Sequence, residues 1–142
     1  MWYNAMMKWI LLSPFHGLIS KGIILITYTG RKSRKAYSLP VNYVRDGDVI
    51  YVTSYRARTW WRSLRGGAAV SVRLDGGDRK ARGEVIEDDA GVAEGLMAYL
   101  QKVPQYAKYY QVKLDPDGTP DATDITQASR DRVFIRLHLE PV

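Results

Sequence analysis

The pattern of apolar and polar positions divides the first half of the chain into segments that predict strands. Residues 22–29 (GIILITYT) form a continuous apolar run rich in β-branched side chains, which is typical of a strand buried on both faces. Residues 37–45 alternate, and Pro40 within them indicates an edge strand or a bulge. The Asp46-Gly47 pair predicts a tight hairpin into a third strand at residues 49–54.

The second half repeats the strand pattern and adds helices. Residues 70–74 and 79–87 predict a second hairpin around the turn at residues 75–78. After Asp88 or Asp89, apolar residues at helical spacing predict a helix that ends at Pro104. A second short helix is expected to carry Tyr106, Tyr109 and Tyr110.

An acidic loop at residues 115–124 comes next, and Asp124 is expected to cap one more helical turn. Residues 133–139 alternate again and predict the last strand, with residues 133, 135, 137 and 139 facing inward. About six antiparallel strands joined by hairpins, with a few flanking helices, indicate an α+β fold: a small closed or split β-barrel.

The N-terminal stretch predicts a helix that ends near Ser13. Residues 2–12 (WYNAMMKWILL) are apolar around most of a helical circumference, but Pro14 and Gly17 interrupt the run. A helix that spans a membrane needs about 20 apolar residues without such breaks, and no cleavage site of a signal peptide follows. The helix at residues 1–13 either covers one end of the core, which we favour, or lies against a membrane or a partner through residues 1–12.

Length and composition narrow the class of protein. A chain of 142 residues with 46% hydrophobic and 25% charged residues has the size and balance of one globular domain, residues 1–142. The sequence contains no cysteine, which excludes disulfides, iron–sulfur clusters and a thiol nucleophile. The pattern fits a reducing cytoplasm, so we expect a cytoplasmic protein, with the inner face of the membrane as the alternative location.

A metal site is not expected. The two histidines, His16 and His138, lie far apart in sequence, and His138 falls on the polar face of the last strand. The aspartates of the acidic loop lack the spacing and the final glutamate of an EF-hand. The sequence also has no Walker loop and no GxGxxG motif.

The net charge of +6 is unevenly distributed. Residues 1–66 hold eleven basic side chains and two acidic ones, whereas residues 67–142 hold ten basic and thirteen acidic. Such a field favours an anionic partner: a phosphorylated cofactor, an acidic membrane or nucleic acid. No recognition helix and no aromatic RNA-binding strand is found, so nucleic acid is not expected.

Two segments concentrate this charge. The tight connection at residues 30–35 (GRKSRK) brings four cations and hydroxyl groups together, which suits a phosphate or carboxylate tail, although a solvated basic hairpin explains it equally well. A short helix at residues 59–64, with Thr59 as its expected cap, carries Trp60 and Trp61 among several arginines. Adjacent helical positions point about 100° apart, so one tryptophan at most faces a ligand and the other belongs to the core.

Several segments resemble one known family, over about residues 15–139. They are GIILITYTGRKSRK, LPVNYVRDGD, TWWRSL and the late P-x-Y-x-x-Y of PQYAKYY. This combination is similar to the deazaflavin (F420)-dependent nitroreductases and F420H2-dependent quinone reductases. The resemblance implies an FMN-binding-like split β-barrel and an oxidoreductase that transfers a hydride from reduced F420 to a small-molecule quinone, nitro compound or activated enone.

The resemblance also implies roles for individual residues. The TGRKS loop of that family holds the phosphate and polyglutamate tail of the cofactor, which implies Arg31, Lys32, Ser33 and Lys35 here. Ser54 and Trp60 match the positions that line the ring pocket. In the P-x-Y-x-x-Y segment, Tyr106 and Tyr109 match the tyrosines on the substrate side, where a phenol serves better as a proton donor than as a base.

The chain also departs from the family pattern. Arg34 stands where the family usually has glycine, Tyr37 where a further phosphate-binding arginine is common, and Ser63 where asparagine is usual. The loop after the third strand is also short. One alternative is that Arg56 or Arg58 supplies the displaced positive charge. The other is that the pocket binds FMN, haem or another anion instead of F420. The oligomeric state is left open between a monomer and a homodimer.

Overall fold

The computed structural model describes residues 23–74 and 76–141. The predicted helix at residues 1–13 lies outside the described residues, as does His16. The favoured position of this helix on the core and the alternative contact of residues 1–12 with a membrane or a partner therefore stay predictions. Within the described ranges, no helix is both long and apolar enough to cross a membrane.

The described elements alternate between strands and short helices. The strands are β1 (Ile23–Thr29), β2 (Ala36–Asn42), β3 (Val44–Asp46), β4 (Val49–Tyr55), β5 (Ala69–Leu74), β6 (Gly77–Ile86) and β7 (Arg132–Leu139). The α-helices are α1 (Asp89–Lys102) and α2 (Ala122–Ser129), and the 3-10 helices are η1 (Trp60–Leu64) and η2 (Pro104–Tyr110). All these strands form one antiparallel sheet in the order β2-β1-β5-β6-β7-β4-β3. The sheet curls into a half-barrel, which confirms the predicted α+β class.

The described part of the chain contains seven strands, where the sequence predicted six. The segment predicted as one strand at residues 37–45 is divided at Tyr43. β2 pairs with β1 at one edge of the sheet, whereas β3 pairs with β4 at the opposite edge. One straight strand could not reach both partners, so the backbone breaks between them. Pro40 lies in the edge strand β2, where a residue without an N–H is tolerated.

Two hydrophobic clusters pack on opposite faces of the sheet. The interior cluster fills the half-barrel and includes Trp61, Val133, Ile135 and Leu137. The outer cluster lies between the sheet and the helices and includes Phe134. Because successive side chains of a strand point to opposite faces, β7 contributes to both clusters and is buried along most of its length.

Gly95 lets α1 approach the outer face of the sheet closely. A Cβ atom built on Gly95 would lie 2.7 to 2.9 Å from three carbon atoms of the Phe134 ring. Phe134 is almost fully buried and is itself held by the rings of Tyr51 and Tyr99, with centroid distances of 5.7 and 6.3 Å. The glycine therefore sets the distance between helix and sheet, and through it the position of Tyr99 on the same helix.

The helix caps agree only in part with the sequence predictions. Asp88 caps α1 as expected, and its carboxylate accepts a 2.8 Å hydrogen bond from Gly91 N. For α2 the prediction of Asp124 was wrong: the cap is Asp121, which accepts from Asp124 N at 3.0 Å, because the helix already begins at Ala122. Thr59 occupies the cap position of η1, but its side chain makes no capping hydrogen bond.

Candidate functional site

A cleft of about 280 Å³ opens at one end of the half-barrel. Its walls come from β2, the end of β4, the start of η1 with the turn before it, α1, η2 and the first residue of β7. It is lined by Pro40, Val41, Asn42, Thr53, Ser54, Tyr55, Arg58, Trp60, Tyr99, Tyr106, Tyr109, Tyr110 and Arg132. The cleft thus brings together five residues selected from the sequence, Ser54, Arg58, Trp60, Tyr106 and Tyr109.

Ser54 fixes the position of Trp60. The indole Nε1–H of Trp60 donates to Ser54 Oγ at 3.0 Å, and both side chains are buried. The Ser54 hydroxyl donates in turn to the Tyr55 carbonyl at 3.2 Å. Because a buried indole N–H needs an acceptor, this serine orients the tryptophan that lines the cleft. Its hydroxyl proton is already engaged, so Ser54 acts on a ligand mainly through Trp60.

The neighbouring Trp61 belongs to the core. It is 2% exposed and packs in the interior cluster. The guanidinium groups of Arg62 and Arg65 lie 5.6 and 5.0 Å from its ring centroid and cover its outer side. The two tryptophans therefore divide as the helical spacing predicts, with one lining the cleft and the other inside the barrel.

Four tyrosines from α1 and η2 form one wall of the cleft. Their rings are in mutual contact: Tyr99 lies 6.3 Å from Tyr106 and 6.0 Å from Tyr110, and Tyr106 lies 6.3 Å from Tyr109. Burial, with the nearby Tyr110 as a second cause, raises the pKa of the Tyr99 phenol well above its ordinary value. Tyr99 is therefore a neutral wall residue, whereas Tyr109 is 67% exposed at the mouth.

The polar groups of the cleft are hydroxyls and cations. Tyr110 and Thr53 share a 2.6 Å hydrogen bond between their hydroxyl groups. Arg58 and Arg132 supply two positive charges, and none of the described lining residues carries a carboxylate. The field inside the cleft therefore favours an anionic or oxygen-rich aromatic ligand.

The basic loop at residues 30–35 lies outside the cleft. Gly30 N donates to Lys35 O and Arg34 N donates to Gly30 O, both at 2.9 Å, which closes the turn. Arg34 has φ of 59°, in the left-handed region where glycine is the favoured residue. Arg31 donates to the Arg65 carbonyl at 3.1 Å, and the Lys32 and Lys35 positions are exposed.

A row of aromatic side chains connects this loop with the cleft. The hydroxyl groups of Ser33 and Tyr37 are 2.9 Å apart. The Tyr37 ring stacks on Tyr28 at 5.7 Å, and Tyr28 lies 6.1 Å from Trp60. We call Tyr37, Tyr28 and Trp60 the aromatic bridge. Burial and the adjacent Tyr37 raise the pKa of Tyr28, while the positive charge of Arg58 opposes the shift.

Arg56 does not line the cleft. Its Nη2 donates to the Arg132 carbonyl at 2.9 Å, its backbone N–H donates to Asp131 O at 2.7 Å, and its guanidinium lies 3.7 Å from Asp89. Arg56 therefore supports the backbone beneath Arg132. Of the two arginines considered after the third strand, Arg58 is the one that reaches the cleft.

The other candidate groups have ordinary structural partners. His138 lies 3.0 Å from Glu84 Oε1 on the exposed face of the sheet. In the acidic loop, Asp117 accepts from Thr119 N at 3.0 Å, and Asp124 accepts from Lys113 N at 3.0 Å. The described residues contain no group of three or more His, Asp or Glu side chains placed to hold a metal ion.

Comparison with known proteins identifies relatives in structure. No protein-family model matches the chain, and no curated protein matches it in sequence. An F420-H2 dependent reductase (FDR-A) superposes with a TM-score of 0.50 and 18% identity, over 84% of this chain and 95% of that one. The chain has the split β-barrel fold.

Other proteins with this fold bind FAD or store haem. An FAD-binding protein from Mesorhizobium loti matches with a TM-score of 0.55 and 15% identity, over 87% of this chain and 85% of that one. HutZ, the haem storage protein from Vibrio cholerae, matches with a TM-score of 0.53 and 13% identity, over 92% of each chain. At these identities the likeness is one of fold, so the function has to be argued from the site.

The polar cleft residues that were not selected from the sequence include Tyr55, Tyr110 and Arg132. Tyr110 is the last tyrosine of PQYAKYY and was passed over in favour of the other two. Tyr55 directly follows one predicted strand, and Arg132 directly precedes another. The sequence pattern therefore indicates only that each is a polar residue at the end of a strand. Arg132 shares a strand face with His138, and the sequence predicts this face to be polar, so the alternation gave no signal that Arg132 is buried in a cleft.

Proposed function

We propose that the protein is an F420H2-dependent reductase that transfers a hydride from reduced deazaflavin to a quinone, a nitro compound or an activated enone. The observation that carries the proposal is the continuous path from the cationic cleft, along the aromatic bridge, to the basic loop. Such a path suits a cofactor that joins a flat ring system to a long anionic tail. The occurrence of an F420-H2 dependent reductase on the same fold supports it further.

The residues present fit such a cofactor. At about 280 Å³ the cleft is at the lower end of volumes for small-molecule sites, so it suits a ring system while a longer tail extends outside. Trp60 would hold the ring, with Ser54 orienting the indole. The tail would bind to Arg31, Lys32, Ser33 and Lys35, and Arg58 would add a positive charge in the cleft. When bound, the deazaflavin supplies the hydride; the protein supplies orientation and charge.

The substrate side of the proposed site is the tyrosine wall. Tyr106 and Tyr109 have no hydroxyl hydrogen bond to another described residue, so their O–H groups are available to a ligand. A phenol at neutral pH donates a hydrogen bond or a proton. We therefore retain Tyr106 and Tyr109 as candidate donors to the hydride acceptor.

A fluorescence titration with F420 tests the proposal. The wild-type protein should bind F420 at low salt and more weakly at high salt, because ions screen the basic loop. The double variant Arg31→Ala/Lys32→Ala should lose about ten- to a hundredfold in affinity, since it removes charged donors to the tail. Lys113→Ala removes one positive charge away from both the cleft and the basic loop, and this variant should bind F420 as the wild type does.

Absence of F420 binding by the wild type at micromolar protein and low salt would refute this function. If the double variant and Lys113→Ala bind F420 with equal affinity, the basic loop does not bind the tail of the cofactor. If F420 does bind, oxidation of the reduced cofactor by a quinone under anaerobic conditions then measures turnover.

The second candidate is a binder or carrier of FMN, haem or another anionic ring cofactor on the same barrel. It is favoured by the FAD-binding protein and the haem storage protein that share the fold. The absorbance spectrum of the purified protein separates the two functions, because flavins and haem each have a characteristic visible absorption. A flavin or haem spectrum together with failure to bind F420 would establish the second function.

A further inference from the structure

Arg132 is the only buried charged residue in the described part of the chain, with 8% of its surface exposed. A buried guanidinium is costly unless its donors are satisfied. Its Nη1 donates to Ala128 O at 3.0 Å and to the Asp131 carboxylate at 3.1 Å. The rings of Tyr55 and Tyr110 lie 4.6 and 4.9 Å from its central carbon, Cζ. The charge is thus held firmly in place while it faces the cleft.

The remaining contact of Arg132 determines how Tyr55 is oriented. Arg132 Nη2 lies 3.1 Å from the Tyr55 hydroxyl oxygen. A guanidinium has donors and no acceptor, so the phenol oxygen accepts this hydrogen bond and its own proton must point elsewhere. No other described residue accepts that proton. Tyr55 is 52% exposed and lines the cleft, so its O–H is available to a ligand there.

The other tyrosines of the cleft lack this arrangement. The hydroxyl of Tyr110 is bonded to Thr53, and Tyr99 is almost fully buried. Tyr106 and Tyr109 have no cation hydrogen-bonded to the phenol oxygen among the described residues. A hydrogen bond from a charged donor polarises the hydroxyl that accepts it, and bonds in such a chain strengthen one another. Tyr55 is therefore the most strongly polarised donor of the cleft.

We propose that Tyr55 is a hydrogen-bond donor to the substrate and that Arg132 is the positioning residue that directs it. The pair forms an oxyanion subsite for acceptors whose oxygen carries, or gains during reduction, a negative charge. Quinones and nitro compounds belong to this class. The role in reduction rests on the function proposed above, whereas the preference for an anionic oxygen belongs to the cleft alone and can be measured without cofactor.

The test compares two probes of similar shape, 4-nitrophenolate and 4-nitrotoluene. Affinities are measured by equilibrium dialysis at a mildly alkaline pH, where the phenol is ionised. The wild type should prefer the phenolate. Tyr55→Phe, which removes one hydroxyl from a half-exposed ring, should weaken phenolate binding by about ten- to a hundredfold and 4-nitrotoluene binding by less. Tyr51→Phe removes the same group on the same strand and face, outside the cleft, and should change neither.

Arg132→Lys tests the positioning role. Lysine keeps the charge but loses the planar fork, so phenolate affinity should fall. The double variant Arg132→Lys/Tyr55→Phe should be no weaker than Tyr55→Phe, because the arginine acts through the tyrosine. A purely structural role for Arg132 would make the two losses additive and would overturn this part.

Equal losses for both probes in Tyr55→Phe, no loss, or no preference of the wild type for the phenolate would each overturn the subsite. Titration of the same variants with F420 separates this result from the proposed function. Tyr55→Phe should bind F420 as wild type does. A wild type that prefers the phenolate but binds no F420 would refute the reductase and leave the subsite standing.

Discussion

Gly95→Ala is expected to destabilise the protein, although alanine is the better helix former. Inside a helix, alanine is favoured over glycine by about 1 kcal/mol. At Gly95 the added methyl group would lie 2.7 to 2.9 Å from three ring atoms of Phe134. The ring cannot swing away, because Tyr51 and Tyr99 pack against it.

The steric cost is therefore the larger of the two effects. Overpacking a core typically costs about 1–3 kcal/mol, and a rigid ring with three close contacts belongs at the upper end of that range. The net loss is expected to be about 2 kcal/mol after the helix preference is subtracted. For a domain of this size such a loss lowers Tm by about 8 °C.

Urea unfolding followed by circular dichroism measures this loss, with Ala98→Gly as the matched variant. Ala98 is an exposed position of the same helix, so Ala98→Gly measures the helix preference alone, about 1 kcal/mol. The reasoning also predicts that F420 affinity falls in Gly95→Ala, because a displaced α1 moves Tyr99 in the wall of the cleft. A Gly95→Ala protein as stable as wild type, or more stable, would refute the argument.

Further variants test single contacts. Ser54→Ala leaves the buried Trp60 N–H without its acceptor and should lower the free energy of unfolding in urea by about 1–3 kcal/mol. Ser71 is a strand serine outside the cleft, so Ser71→Ala should be near neutral. Equal losses in the two variants would contradict the role of Ser54. Tyr106→Phe should lower turnover by about a hundredfold and leave F420 affinity unchanged; unchanged turnover would remove Tyr106 from the mechanism. The hydrogen bond from His138, followed by Arg136, lowers the pKa of Glu84 below its ordinary 4.5. Its ionised form therefore stabilises the fold above that pH and loses this effect as the pH falls through the lowered pKa. Glu84→Gln should cost less than about 1 kcal/mol near neutrality, since the pair is exposed, and the difference from wild type in urea unfolding should vanish in acid; a constant difference would contradict the assignment.

Local patterns were enough to predict most of the barrel. The strands at residues 49–54 and 133–139 follow from alternation, and the hairpin at Asp46-Gly47 follows from turn chemistry, because each depends on neighbours in sequence. The break at Tyr43 depends on which distant strands pair with β2 and β3. That information is spread over the whole sheet, so a local pattern could not reveal it.

The candidate site also combines residues that could be selected from the sequence with residues that only the fold brings together. Ser54, Trp60, Tyr106 and Tyr109 were selected through a family resemblance, and the fold brings them to one cleft. Tyr55 and Arg132 lie 77 positions apart, and only the pairing of β4 with β7 joins them. A contact between two strand ends has no signature in either segment alone.

The place of β7 in the sheet has a consequence for synthesis on the ribosome. It is the last described strand to be made, yet it lies in the middle of the sheet, between β6 and β4. Until it emerges, β2-β1-β5-β6 and β4-β3 have no strand to join them, and both present unpaired inner edges. The sheet therefore cannot be completed until the helical segment has been translated, and unpaired strand edges of this kind favour aggregation. The cleft, with walls from both halves, exists only once this strand has inserted.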